Sequence, residues 1–144
     1  MTTKSIDKAP IANYNQKHVK GEGILCNFAS REDVSSFLEK AKELICRGSF
    51  VFVSRRKNLQ SLAEFGLTII DAKEEILDLR IKDYYKGPKK DFDKPGFIWE
   101  FKKVIRKKKF YIKLKISDES GREVLKCLGF HKDDFDKSLR GDNQ

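Results

Sequence analysis

The chain has few of the residues on which cofactor chemistry depends. Of its 144 residues only His18 and His131 are histidines, and its three cysteines, Cys26, Cys46 and Cys127, stand apart from one another and are odd in number. Neither set has the paired spacing of a zinc site or a small disulfide scaffold, which argues against both and fits a reducing cytoplasm. Cys46 and Cys127 sit among apolar residues and read as small core fillers. No glycine-rich phosphate loop and no serine-centred nucleophile motif occurs, so neither a P-loop enzyme nor a cofactor or metal is expected. No window approaches the roughly 18 apolar residues of a membrane span. The start, Met1-Thr2-Thr3-Lys4-Ser5-Ile6-Asp7, is too polar for a signal peptide. A soluble cytoplasmic protein without a membrane partner is the expectation.

Positive charge, by contrast, is plentiful. Lys and Arg total 31 against 22 acidic residues, a formal net charge of +9. Such a surface attracts polyanions by electrostatic steering and counterion release, so RNA or DNA ranks above an acidic protein as partner. The plain alternative is a solvated surface rich in Lys and Glu. The length suits one domain with a single core.

Along the chain, residues 1–27 show no sustained period and read as an N-terminal arm that orders on a partner. Residues 28–135 read as one domain, and residues 136–144 as a polar C-terminal tail. Ser30 with Asp33 marks a helix start, and Val34, Phe37, Leu38, Ala41, Leu44 and Ile45 give it an apolar stripe from about Arg31 to Arg47. Phe50-Val51-Phe52-Val53 predicts a strand. Arg55 to Glu64 predicts a short helix with Leu59, Leu62 and Ala63 inward, stopped by Gly66. Thr68 and Asp71 cap a third helix whose stripe is Ile69, Ala72, Ile76 and Leu79. Lys86 to Gly96, with Pro88 and Pro95, predicts a long cationic loop.

From Phe97 the period becomes two. Phe97, Trp99 and Phe101 alternate with Ile98, Glu100 and Lys102, and Phe110, Ile112, Leu114 and Ile116 alternate with Tyr111, Lys113 and Lys115. Arg106 to Lys109 forms a basic hairpin tip, Asp118 to Gly121 a turn, and Glu123 to Phe130 a third antiparallel strand. Helices followed by a meander sheet indicate the α+β class, with the N-terminal helices packed on a small antiparallel sheet.

One face of that sheet gathers side chains suited to phosphodiester chemistry. RNA is cut without metal when a base takes the 2′-hydroxyl proton, an acid protonates the leaving 5′-oxygen and cations stabilise charge growing on phosphorus. Glu100 suits the base, His131 the acid, and Lys86, Lys113 or Lys115 the phosphate, with Tyr111 positioning the phosphate or stacking on a base. A bulge at Gly129 would set the direction of His131. Lys89, Lys90, Lys102, Lys107 and Lys108 extend a track for backbone phosphates. Each residue has a structural reading too: Glu100 paired to a cross-strand lysine, Tyr111 a surface strand residue, His131 a strand-end donor.

Asp83-Tyr84-Tyr85-Lys86, Ile98-Trp99-Glu100, Phe110-Tyr111-Ile112-Lys113-Leu114 and Leu128-Gly129-Phe130-His131, in this order, resemble the MqsR family of toxins in the RelE-like superfamily. The similarity extends back through Phe65-Gly66-Leu67 to the helix around Leu44. The resemblance implies a RelE-like fold, an mRNA-cleaving endoribonuclease of a toxin–antitoxin module, no cofactor, and an antitoxin protein as partner. It also implies a catalytic set at Lys86, Glu100, Tyr111 and His131. Glu100 stands where the family's best-known form has Gln, and His131 where it has Lys. The rival expectation is a non-catalytic basic protein on the same fold that binds or inhibits a nucleic-acid-processing complex.

Overall fold

Helix α1 (Arg31–Cys46) begins where Ser30, in an extended conformation, accepts a hydrogen bond from the Asp33 backbone N–H at 3.1 Å. It buries the apolar stripe read from the sequence, Val34 to Ile45. The computed structural model describes residues 28–134; the expected N-terminal arm with His18 and Cys26, and the expected C-terminal tail, lie outside the described residues. After α1 come β1 (Phe50–Phe52), α2 (Arg56–Phe65) and α3 (Ile69–Leu77). A reciprocal capping box starts α3, Thr68 N–H donating to Asp71 at 2.8 Å and Asp71 N–H to Thr68 at 3.0 Å. A 3₁₀ turn (Ile81–Asp83) then leads to β2 (Tyr84–Lys90), β3 (Phe97–Ile105), β4 (Lys108–Glu119) and β5 (Arg122–Lys132).

The sheet has the order β1-β5-β4-β3-β2. The α+β class holds, with helices ahead of the meander, but the sheet is mixed rather than antiparallel: β1 runs parallel to β5, pairing Phe50 with Leu125 and Phe52 with Cys127. Everything from α2 to β4 forms the crossover between these parallel neighbours, a connection that parallel strands require. Period-two alternation cannot reveal such pairing, because it reports faces and not partners.

The expected loop from Lys86 is instead mostly strand. Pro88 is tolerated because β2 is the edge of the sheet, and the register shifts on either side of Lys86 absorb the irregularity. Gly87, at φ 116°, lies so close to β3 that a Cβ there would stand 2.7 Å from the Ile98 carbonyl oxygen. Only residues 91–96 remain as the connecting loop.

Helix α2 departs from expectation in what it buries. Leu59 and Ala63 face outward, while Asn58, Ser61 and Leu62 are buried. The reason lies at the edge of β5. β1 is too short to pair beyond Cys127, and α2 side chains take over the ladder. Asn58 Nδ2 donates to the carbonyls of Val53 (3.0 Å) and Leu128 (3.1 Å), and Asn58 Oδ1 accepts from Phe130 N–H at 2.9 Å. One helical turn on, Ser61 Oγ accepts from Lys132 N–H at 3.1 Å. A strand edge that would otherwise be unsatisfied is thus closed by a helix.

The apolar face of the sheet packs on the helices. Phe37 stacks on Trp99 with centroids 4.5 Å apart, and Phe65 meets Phe110 edge-on at 5.2 Å. Phe101, Phe110 and Phe130 are fully buried, each contributing about 1.5–3 kcal/mol by leaving water. Ile69, expected in the α3 stripe, is exposed, whereas Ala72, Ile76 and Leu79 are buried. Cys46 falls off its stripe and is exposed, correcting its reading as a core filler. Cys127 is buried, and burial pushes its thiol up to about 12. No helix among the described residues is long and apolar enough to cross a membrane.

Candidate active site

Strand register lays two rows of side chains across the sheet face turned away from the helices. One row runs Lys86, Glu100, Lys113, Gly129, and the next Lys102, Tyr111, His131. Rows on one face are about 7 Å apart, two strand residues. Lys86, Glu100, Tyr111 and His131 therefore come together in one patch, although they arise from four different strands.

Within it Glu100 lies lowest. Its side chain is fully buried, and the Tyr111 hydroxyl donates to Oε1 at 2.6 Å. Lys89 Nζ stands 2.7 Å from Oε2, an ion pair without hydrogen-bond alignment. The carboxylate expected as the base is covered in this geometry, and Glu100 holds Tyr111 and Lys89. Burial, and then the Glu100 bond, push the Tyr111 phenol far above its ordinary value and keep it protonated.

His131 owes its direction to a bulge. Lys113 pairs with Gly129 and Leu114 with Cys127, leaving Leu128 as the extra residue, so Gly129 and His131 share the face of Lys113 and Tyr111. The imidazole packs edge-on to Tyr111 at 5.4 Å, and Nδ1 lies 3.0 Å from the Lys132 carbonyl oxygen. Burial lowers the His131 pKa, the bond to Lys132 opposes this, and Lys57 lowers it further. The imidazole is accordingly neutral at pH 7.

The cations divide into held and unheld. Lys102 pairs with Asp133 at 3.0 Å while lying 4.0 Å from the centre of the Tyr85 ring. Lys115 is buried against Asp91 at 2.6 Å, which removes it from the phosphate-facing set. Lys113 is half-buried 5.7 Å from the Tyr111 ring, and its pKa is lowered by desolvation. Lys90 ends β2 opposite Phe97. Lys107 lies in the β3–β4 turn and Lys108 opens β4, about 10–14 Å along the strand from Tyr111. Arg106 at that turn donates to the Phe65 carbonyl at 2.8 Å and so caps α2. Beyond Lys102 a depression of about 510 Å³ is lined by Arg80, Lys82, Lys103 and Lys109 with Asp78, Asp83 and Val104.

Three residues of the patch were not singled out from the sequence. Tyr85 is 40% exposed and touches the site from its edge, its ring 6.4 Å from Tyr111 and 5.2 Å from Lys86 Nζ. The tandem Tyr84-Tyr85 was the available signal, since neighbours on a strand face opposite ways and Tyr84 packs on Trp99 in the core. Arg55 and Lys57 act from the start of α2, depressing the pKa values of Lys113 and His131 respectively. Their signal was a cation run at a helix N-terminus, where the macrodipole disfavours it.

No family model and no curated protein matches the chain. Its site therefore stands on its own geometry. Among the described residues no three His, Cys, Asp or Glu side chains are grouped to hold a metal ion.

The Asp91–Lys115 pair anchors the β2–β3 loop and makes a pH prediction. Lys115, with the backbone N–H groups of Asp93 and Lys94, lowers the Asp91 pKa from 3.8 to about 2. A depressed carboxylate stabilises the fold above its unfolded pKa, and the contribution is lost as pH falls from about 4 through about 2. Asp91→Asn should flatten the pH dependence of the urea midpoint in that window and leave its slope above pH 5 unchanged.

Proposed function

We propose that this protein is a metal-independent endoribonuclease of the MqsR-like, RelE-related toxin type, cleaving single-stranded mRNA by attack of the ribose 2′-hydroxyl on the adjacent phosphorus. The observation that carries the reading is the convergence of Lys86, Tyr111 and His131, over buried Glu100, on the face of the sheet turned away from the described helices. Lys86 and Lys113 supply positive charge for the non-bridging oxygens, and the Tyr111 ring, fixed by the hydrogen bond its hydroxyl donates to Glu100, borders the place of the phosphate. His131 supplies proton transfer near neutral pH. Tyr85 offers an exposed ring on which a neighbouring base stacks. The net charge of +9 favours encounter with RNA, and an antitoxin protein would restrain the activity in the cytoplasm.

Incubating the pure protein in EDTA with 5′-labelled unstructured RNA should yield fragments ending in 2′,3′-cyclic phosphate, with 5′-hydroxyl partners. Expression without its antitoxin should arrest growth. Salt-sensitive RNA binding with no product and no arrest would discard the nuclease and leave the basic binding protein that docks on or inhibits a nucleic-acid-processing complex.

A further inference from the structure

The first row of the site ends on a residue with no side chain, and two reactive groups border the space so left. A Cβ at Gly129 would stand 3.2 Å from Lys113 Cβ and 3.8 Å from both Cδ2 and Nε2 of His131. The Lys132 carbonyl 3.0 Å from His131 Nδ1 can only accept a hydrogen bond, so Nδ1 carries the proton of the neutral ring. Nε2 then presents its lone pair at the slot over Gly129. On the other side, Lys89, Lys102 and Lys115 are each held by a carboxylate, whereas Lys113 has no ion-pair partner among the described residues.

Building on the cleavage reading above, we infer that His131 Nε2 is the general base and Lys113 the general acid, working from either side of the Gly129 slot, with buried Glu100 holding the Tyr111 ring in place beside it. The 2′-hydroxyl proton passes to Nε2 as the 2′-oxygen forms its bond to phosphorus. The bond from phosphorus to the 5′-oxygen breaks, and that oxygen takes a proton from the Lys113 ammonium. A 2′,3′-cyclic phosphate and a 5′-hydroxyl result, leaving imidazolium and neutral amine, which exchange protons with water to restore the starting state. No other reactant is needed.

The surroundings suit this division. Around His131 stand Tyr111 and Lys113 from β4, Lys57 from α2, and Asp134; burial, Lys57 and Lys113 favour the neutral base against the Lys132 carbonyl and Asp134. Around Lys113 stand Glu100 from β3, Lys89 from β2, Arg55 at the start of α2, and Asp91; burial, Lys89 and Arg55 make its ammonium a readier donor against Glu100 and Asp91. Tyr111 is a poor rival as acid, because its proton is engaged by Glu100.

A substrate with sulfur in place of the 5′-bridging oxygen distinguishes acid from base, since a thiolate leaves without protonation. The full chain is assayed in EDTA on a linkage that the wild-type protein cuts, in oxygen and sulfur forms. Lys113→Met should slow the oxygen substrate about 10²–10⁴-fold and the sulfur substrate only a few-fold. Lys113→Arg, which keeps the charge but holds its proton, should behave alike. His131→Ala should be slow on both. Sulfur rescue of His131→Ala, sulfur rescue of Lys86→Met in place of Lys113→Met, or equal slowing of Lys113→Met on both substrates would overturn the assignment. Absence of any cleavage by the wild-type protein would instead remove the nuclease reading itself.

Discussion

Asn58→Leu should cost about 2–4 kcal/mol of folding stability, comparable to truncating a core residue, measured as the shift in urea midpoint at constant slope. Leucine has the same number and branching of side-chain heavy atoms and is no smaller, so the loss is not a cavity effect. Asn58 is buried and bonds the Val53 and Leu128 carbonyls and the Phe130 N–H. Its removal strands the Leu128 carbonyl and the Phe130 N–H, each at a cost of about 1–3 kcal/mol, partly recovered by local relaxation, while the Val53 carbonyl keeps the Arg55 N–H at 2.9 Å. The same bonds hold the strand on either side of Gly129, so the variant should also lose RNA cleavage at temperatures where it remains folded. A loss of less than about 1 kcal/mol would show that water or rearrangement satisfies these groups and that the side-chain ladder is dispensable.

The second large effect separates two roles for Glu100. As a support for Tyr111, it is replaceable by an acceptor of the same shape. Glu100→Gln should therefore cleave within about tenfold of wild type, because its carbonyl oxygen can accept from the Tyr111 hydroxyl. Glu100→Leu should fall about 10²–10³-fold, since the phenol loses its partner and its direction. A general base would respond differently, with Gln and Leu falling together by about 10²–10⁴-fold. Single-turnover rates of the two variants at pH 7 decide between these patterns.

Much of the architecture was legible because it rests on local rules. Ser30 and Thr68 announced two helix starts, and the alternation around Trp99 and Ile112 sorted the two faces of the sheet correctly. The long-range features were not legible. Nothing in Phe50-Val51-Phe52 states that its neighbour is Leu125 to Cys127, and nothing in the sequence around Leu59 states that a nearby edge needs Asn58 and Ser61. Pro88 was read as a loop signal, yet an edge strand tolerates it. In the candidate site, alternation showed which residues share a face, but depth is a tertiary property. Glu100 and Lys115 alternate like exposed residues and are buried because Tyr111, Lys89 and Asp91 close over them.

The parallel pairing of β1 with β5 also bears on when the protein can act. A ribosome makes β1, α2 and four-fifths of the sheet before the strand that joins them exists, and that strand also carries the imidazole. Nascent chains halted before about Lys132 hold neither a closed core nor the complete candidate site, so premature release yields protease-sensitive fragments. Competence arrives in one step, when the last strand slots between its two neighbours.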